Sequence, residues 1–262
     1  QPYRSHFKAQ EFWDTGAIID RDMAHVRGTG WLGRQWESKG NDLARGIDNP
    51  FINLHGSPTI YDKGKSIKAL NVTDINALRW YGGLDCGGSS TYDDKANRIS
   101  ANINTQLEVL KWFQDFDSFK GYTDGSLTQQ LKRAADIIIS DMPFVAIHTE
   151  LGGFDTHGGE LERLTDLYED LGGAISGLAQ NLKQSGHWKD TLVFVYSDFG
   201  RTVGENQSGG TDHGHAGLSM LAGGELNAFQ DYRNLQEPEF QTERGEVFLN
   251  YGVDFRDLIE QA

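Results

Sequence analysis

A strand–helix–strand pattern in residues 143–197 constrains the fold more than any other feature of the sequence. An apolar run, residues 144–148 (FVAIH), is followed by apolar side chains at three- and four-residue steps, which predicts a helix with one buried face. Gly186 ends this helix, and a second run, residues 192–196 (LVFVY), has the composition of a strand buried on both faces. Because the crossover is long enough for parallel pairing, the pattern predicts an α/β fold.

Polar side chains follow both predicted strands. Asp155 and His157 lie beyond the first strand, Asp198 follows the second, and the next glycine-rich loop carries His213 and His215. In open α/β sheets the chemistry gathers beyond the carboxyl ends of the strands. Aspartate and histidine are ligands of Zn²⁺ and related divalent ions, and several of them at neighbouring strand ends can hold two cations. The sequence therefore predicts a metal or acid–base site.

Each of these residues also has an ordinary structural explanation. Asp155 or Asp198 alone is equally well explained as the N-cap of a following helix, and a lone loop histidine usually binds a backbone carbonyl. The occurrence of GGFDTH, SDFGR and TDHGH in one chain favours the functional interpretation. His148 and Glu150 are weaker candidates. Four other histidines are assigned structural or exposed positions: His6, His25, His55 and His187.

The rest of the chain is organised around this unit. The sequence predicts helices that begin after Ser5, near Trp31, near residue 103, at Ser126 and near residue 253. Residues 40–100 contain short strand-like fragments among Gly, Asn and Pro, so we expect them to form an insertion or cap beside the main sheet. We expect residues 1–262 to form a single domain.

Composition limits the partners. The formal net charge of −14 over 262 residues argues against a nucleic-acid partner, which requires a basic face. It does not exclude an anionic substrate, because bound cations can invert the local field. Cys86 is the single cysteine, and no apolar run approaches the ~18 residues that a membrane span needs. The sequence does not indicate an oligomeric state.

Five motifs resemble those of an uncharacterised, sulfatase-like family of exported proteins in the alkaline phosphatase superfamily. They are RSHFKAQ from Arg4, GWLGR from Gly30, GFDTH from Gly153, SDFGR from Ser197 and GTDHG from Gly210. This resemblance covers nearly the whole chain. It implies a three-layer α/β/α sandwich with a mostly parallel sheet, export to the periplasm or the cell exterior, and hydrolysis of phosphate or sulfate esters by in-line attack at a two-metal site.

The resemblance also implies metal-binding roles. Asp155 and His157 would bind one divalent ion, either Zn²⁺ or Ca²⁺ or Mg²⁺. Asp198 would bind the other ion. His213, or else His215, would complete the first site.

It further implies catalytic roles near the start of the chain. Ser5 stands where a nucleophile would open a helix, and a plain N-cap is the alternative role for this residue. Arg4 or Arg201 would pair with the anionic oxygens of a small ester substrate.

The sequence departs from the family pattern in two places. Phe199 stands where many superfamily members have a histidine ligand. An upstream strand that supplies a ligand aspartate would lie before residue 1, so we expect the N-terminal strand to be missing and the chain to be part of a longer one. These departures motivate an alternative function, that of a non-catalytic secreted binding or assembly subunit on the same fold.

Overall fold

The fold is described from a computed structural model of the chain, for residues 4–17, 28–43, 50–55, 61–65, 67, 69–71, 125–142, 144–224, 240–243 and 246–249. Within these ranges the helices are α1 (His6–Thr15), α2 (Trp31–Leu43), α3 (Ser126–Ile139) and α4 (Glu160–Ser185), with a 3₁₀ turn at Trp188–Asp190. The strands are β1 (Phe51–Asn53), β2 (Leu70–Asn71), β3 (Ala146–His148), β4 (Leu192–Val195), β5 (Met220–Gly223), β6 (Phe240–Glu243) and β7 (Glu246–Leu249).

A small parallel sheet with the strand order β2–β1–β3 lies at the centre of this mixed α/β fold. Ile52 of β1 is opposite both Leu70 of β2 and Ile147 of β3. All three residues of β1 are buried, as expected of the middle strand of a parallel sheet. Two strands from the range 40–100 therefore belong to the sheet itself, although the sequence analysis assigned that range to an insertion or cap.

Strand β4 pairs antiparallel with β5, so that Val193 is opposite Ala222. The described residues show no pairing of β4 with β3, which the strand–helix–strand pattern had predicted. The prediction that β4 is buried on both faces is wrong, since Leu192 is 44% exposed and the other β4 residues are only partly buried. Phe194 of β4 and Tyr196 directly after the strand pack on the buried aromatic side chains of α1.

Helices α3 and α4 pack on each other and on the parallel sheet to form the main core. The stripe predicted for α4 is buried towards the end of the helix, where Leu178 and Leu182 each contribute about 2 kcal/mol. The prediction of one buried stripe is wrong for the first half of the helix, since Leu161 is 85% exposed and Tyr168 is 58% exposed. Helix α4 ends at Gly186, whose φ of 84° is left-handed and whose N–H binds the Leu182 and Lys183 carbonyls. The predicted helix and its end are thus confirmed.

Helix α1 lies beside the end of β4. Its buried Trp13 stacks on Tyr196 with ring centroids 4.6 Å apart, and its indole N–H donates to the Asp198 carbonyl oxygen at 3.2 Å. Ser5 has the extended backbone of an N-cap, with φ of −119°, but its hydroxyl makes no capping hydrogen bond. The packing of Trp13 and the contact of His6 with Asp198 therefore hold α1 next to the turn that carries Asp198.

Several predicted features lie outside the described residues. They are the helices near 103–117 and 253–259 and the segment around Cys86. None of the helices in the described ranges combines the length and apolar character needed to cross a membrane.

Candidate metal centre

Two loops that follow β3 and β4 are held against each other by backbone contacts. Within the loop that follows β4, the segment around Arg201 pairs antiparallel with the segment around His213, and the Gly214 N–H donates to the Gly200 carbonyl at 2.7 Å. A Cβ atom on Gly214 would lie 2.5 Å from the Arg201 carbonyl oxygen, so only glycine permits this approach. The Thr211 N–H donates to the Thr156 carbonyl at 3.1 Å, which ties the same loop to the segment after β3.

Candidate metal ligands from three separate parts of the chain meet where these loops join α1. His6, Asp155 and His213 each offer one ligand atom, and these atoms all lie within 4.8 Å of one another. His213 Nε2 is 3.1 Å from Asp155 Oδ1, and His6 Nε2 is 3.4 Å from Asp155 Oδ2. His157 adjoins them, with its Nε2 3.0 Å from Asp155 Oδ1. We call these four residues the histidine cluster.

The protonation of His213 follows from its backbone contact. Its Nδ1 lies 2.8 Å from the Arg4 carbonyl oxygen, and a carbonyl oxygen can only accept. The neutral ring therefore carries its proton on Nδ1 and directs the lone pair of Nε2 at Asp155. The Arg4 Nε in turn donates to the His213 carbonyl at 2.9 Å, so the two residues hold each other in place.

His6 is oriented by a carboxylate. Its Nδ1 lies 2.5 Å from Asp198 Oδ2, and Asp198 Oδ1 accepts from the Phe199 N–H at 2.9 Å. The His6 Nε2 atom is buried and has no hydrogen-bond partner among the described residues. A histidine that donates one N–H to a carboxylate while the other nitrogen is left for an ion is the usual arrangement in metal sites. Asp198 thus contacts a candidate ligand.

His157 repeats this arrangement. Its Nδ1 lies 2.8 Å from Asp212 Oδ1, while its Nε2 lies 3.0 Å from His213 Nε2. Both Nε2 atoms carry lone pairs when the two Nδ1 atoms carry the protons. Two lone pairs at this distance repel unless a proton or a cation lies between them. The geometry therefore favours a positive charge at the centre of the histidine cluster.

Asp155 supplies the negative charge of the histidine cluster. Partial burial alone would raise its pKa, but hydrogen bonding to Arg201 and the charges of His157, Arg201 and His6 together lower the pKa of Asp155 to about 2. The Arg201 Nη1 lies 2.6 Å from Asp155 Oδ1, and the same guanidinium also donates to the Thr211 carbonyl oxygen. Asp155 is therefore an anion at neutral pH.

Phe199 has a packing role next to the histidine cluster. It is 5% exposed, and its ring centroid lies 4.7 Å from that of His6 and 4.8 Å from that of His213. The residue that stands at a predicted ligand position thus holds two candidate ligands in place. An apolar wall of this kind also limits the access of water to a site.

The structure brings together four of the residues predicted from the sequence: Asp155, His157, His213 and Arg201. Asp198 contacts His6 on the side away from Asp155, and Arg4 donates to the His213 carbonyl. Ser5 is exposed and directly precedes His6. The ligand group identified among the described residues is His6, Asp155 and His213, and it includes none of His157, Asp198 and His215. The roles of these residues as metal ligands and catalytic groups remain predictions.

Sequence reasoning missed two residues of this site. His6 was assigned a structural or exposed position, although it directly follows Ser5 in the RSHF motif. Asp212 lies next to His213 in the TDHGH motif and orients His157. The signal in both cases was adjacency to a predicted site residue.

Comparisons with known proteins correct the family assignment. The chain matches the family described as "Protein of unknown function (DUF1501)" over residues 21–244. Searches of curated proteins and of solved structures found no match. Nothing in these comparisons links the chain to phosphatases or sulfatases, so the assignment to the alkaline phosphatase superfamily by resemblance is wrong. Because the match covers well over half of the residues, this chain belongs to the DUF1501 family of proteins of unknown function.

Proposed function

We propose that this protein is a metal-dependent hydrolase of phosphate or sulfate esters. One observation carries the proposal. Three histidines direct Nε2 atoms at the Asp155 carboxylate while their Nδ1 atoms are bonded to an acceptor: Asp198 for His6, Asp212 for His157 and the Arg4 carbonyl for His213. Such anchored and convergent imidazoles are typical of metal sites.

The ligand types favour a particular class of cation. His6, His157 and His213 would supply nitrogen and Asp155 oxygen, a set that suits Zn²⁺ and similar transition metals. Ca²⁺ and Mg²⁺ prefer oxygen ligands and fit this set less well. When bound, the ion would act as a Lewis acid that stabilises charge on the oxygens of the ester. A second ion, with Asp198 among its ligands, stays part of the proposal.

The surroundings of the histidine cluster suit an anionic group. Helix α1 begins at His6, and the N–H groups and dipole at a helix N-terminus attract phosphate and sulfate. The side chain of Arg201 is 18% exposed beside Asp155, where it could contact the non-bridging oxygens of a substrate.

Ser5 is the residue we propose as the nucleophile. Ser5 is an exposed residue that directly precedes His6, and its hydroxyl makes no capping hydrogen bond to α1. The Ser5 oxygen would form a bond to phosphorus or sulfur as its hydroxyl proton passes to solvent water. The bond to the alcohol oxygen in line with it would break, and that oxygen would take up a proton from water. Water would then release the phosphate or sulfate from Ser5. Activation of the hydroxyl by the adjacent positive charge makes this order of steps reasonable.

We also propose that the parallel sheet is the middle layer of a three-layer α/β/α sandwich. The support is that β1 is fully buried while α3 and α4 cover the sheet with one apolar core. A middle strand of a parallel sheet is buried on both faces only when helices cover each face.

The experiment combines metal analysis with turnover. The purified chain is loaded with Zn²⁺, dialysed, and tested on p-nitrophenyl phosphate, bis-p-nitrophenyl phosphate and p-nitrophenyl sulfate. The variant Asp155→Asn is treated in the same way, and Asp166→Asn on the exposed face of α4 is the matched control. We expect one bound ion or more in the wild type and in the control. Asp155→Asn should lower both metal affinity and turnover about 100-fold or more.

Two results would count against the proposal. A wild-type protein that retains no ion would remove its basis. A protein that binds the ion but turns over none of the three esters would instead favour the non-catalytic binding subunit.

A further inference from the structure

A second group of titratable side chains lies at the carboxyl end of the parallel sheet, outside the histidine cluster. His55 follows β1, His148 is the last residue of β3, and Glu150 lies two residues beyond it. Because β1 and β3 are parallel neighbours, their carboxyl ends meet at one edge of the sheet. This edge is where α/β proteins place their chemistry.

The three side chains form a linear chain of hydrogen bonds. His55 Nδ1 lies 3.0 Å from Glu150 Oε2, and His55 Nε2 lies 3.1 Å from His148 Nδ1. A carboxylate only accepts, so His55 carries its proton on Nδ1 and accepts through Nε2. His148 must then donate from Nδ1, which leaves the lone pair of its Nε2 to take up a proton. Glu150 thus sets the donor-to-acceptor direction of both hydrogen bonds.

The surroundings hold this chain of residues in one geometry. Both amide atoms of the Gln130 side chain bind the backbone of Glu150, each at 2.8 Å. The Tyr61 ring stacks on His148, with centroids 5.7 Å apart. The side chain of His55 is 4% exposed, whereas that of Glu150 is 59% exposed. A buried imidazole therefore connects a solvent-exposed carboxylate to a second imidazole.

We propose that Glu150, His55 and His148 form a proton relay that activates a water molecule for the hydrolysis of an uncharged carboxylic ester, with His148 Nε2 as the base. The water oxygen bonds to the carbonyl carbon as its proton moves to His148 Nε2. The positive charge is stabilised by transfer of the Nδ1 protons along His55 towards Glu150. The ester C–O bond then breaks, and the proton returns from His148 to the departing alcohol oxygen.

The chemistry of the site favours a proton over a metal ion. Both ring nitrogens of His55 are engaged, so this residue has no lone pair left for coordination. Burial, with a smaller effect of His55, lowers the pKa of His148 to about 4, so its Nε2 carries no proton at neutral pH. This shift also weakens the ring as a base, so the proposal requires proton transfer along His55 towards Glu150 to offset it. An uncharged substrate suits the site, because the exposed Glu150 carboxylate would repel a phosphate or sulfate ester.

The test measures the turnover of a carboxylic ester and of a phosphate ester by the chain of residues 1–262. Glu150→Gln preserves the size of the side chain and the backbone contacts with Gln130 but removes the charge that sets the direction of the hydrogen bonds. We expect p-nitrophenyl acetate turnover to fall about tenfold, the factor that corresponds to one pKa unit in the base. The exposed Glu169→Gln variant of α4 is the matched control and should turn over the acetate like the wild type.

Two further measurements make the outcome specific. In the wild type, acetate turnover should persist down to about pH 5, where an ordinary histidine is largely protonated. Nitrogen-15 NMR of labelled histidines should show both His55 and His148 as neutral Nδ1–H tautomers at pH 7, and Glu150→Gln should change the His55 tautomer.

Unchanged acetate turnover in Glu150→Gln, or a His148 proton on Nε2 in the wild type, would overturn the proposal. Phosphate ester turnover, which depends on Asp155, should not respond to Glu150→Gln, so a failure here is distinguishable from a failure of the proposed function.

Discussion

The histidine cluster and the Glu150–His55–His148 relay use the same types of side chain in two different arrangements. In the histidine cluster, the Nε2 atoms of three imidazoles converge on Asp155, and their Nδ1 atoms bind acceptors outside the cluster. In the relay, each nitrogen of His55 binds a different neighbour, so the side chains run end to end. Convergent lone pairs suit a cation, whereas a linear chain suits proton transfer. Connectivity therefore decides what the same residue types can do.

The largest effect is expected from His6→Ala, which tests convergence directly. Removing this ring deletes one candidate ligand and its contact with Asp198 Oδ2, so we expect Zn²⁺ affinity to fall at least about 100-fold. Calorimetric titration of the metal-free protein with Zn²⁺ measures this affinity. His187→Ala, outside both sites, is the control. His6→Ala should not change p-nitrophenyl acetate turnover by the relay. An equal loss of Zn²⁺ affinity and acetate turnover would show that the two sites are not independent.

The histidines of the relay should make the fold less stable in mild acid. The pKa of His148 is lowered from 6.5 to about 4, mainly by burial, and the pKa of His55 is lowered for the same reason. The unfolded chain therefore binds more protons than the folded chain between pH 6.5 and pH 4, and the free energy of unfolding falls as the pH drops through this window. The loss from His148 would be about 3 kcal/mol at most.

Urea unfolding followed by circular dichroism between pH 7.5 and 4 measures this loss. The groups that face His148 are His55 and Tyr61, with Glu150 beyond them. His148→Gln removes the titrating ring and should flatten the pH dependence. A stability profile that is as steep in this variant as in the wild type would mean that other groups cause the loss.

Asp212→Asn should have an intermediate effect, because it changes an anchor of the histidine cluster and leaves the ligands in place. The Asp212 carboxylate accepts from His157 Nδ1, and this hydrogen bond lowers the pKa of Asp212. An amide can present either nitrogen or oxygen to His157, so the ring orientation becomes less defined. We expect Zn²⁺ affinity to fall about 10-fold to 100-fold. Affinity equal to that of the wild type would place His157 outside the metal site.

The sequence predicted helices better than strand partners. The apolar stripe in α4 and Gly186 after it specify both the helix and its end, because their spacing is local information. Strand β1 has three residues, too few for a periodic signal, and its central place in the sheet depends on contacts with β2 and β3. The apolar run of β4 is equally compatible with parallel or antiparallel pairing. Local patterns thus predicted the elements but not how they pair.

In the candidate site, too, local motifs predicted some residues, and residues that depend on long-range contacts were missed. The motifs after β3 and β4 predicted Asp155, His157 and His213 because ligand residue types recur there. His6 was missed because it reaches Asp198 and Asp155 only through the packing of α1 on the end of β4. No spacing rule relates residues so far apart in sequence.

The smallest effect on stability is expected from Ser5→Ala, which separates a catalytic role for this residue from a structural one. Replacing a hydroxyl that caps a helix usually costs about 1 kcal/mol. The Ser5 hydroxyl makes no such bond, so we expect the free energy of unfolding to change by less than about 0.5 kcal/mol. Phosphate ester turnover should nevertheless fall, because the proposed nucleophile is gone.

Thr15→Ala at the other end of α1 provides the matched comparison. The buried Thr15 hydroxyl accepts from the Ala17 N–H at 3.2 Å and donates to the Glu11 carbonyl at 2.6 Å. Its loss should cost about 1–2 kcal/mol, because a buried N–H is left unsatisfied. If Ser5→Ala destabilises the fold as much as Thr15→Ala and leaves turnover intact, Ser5 is only a structural residue. An ion bound by the histidine cluster would then have to activate a nucleophile other than Ser5.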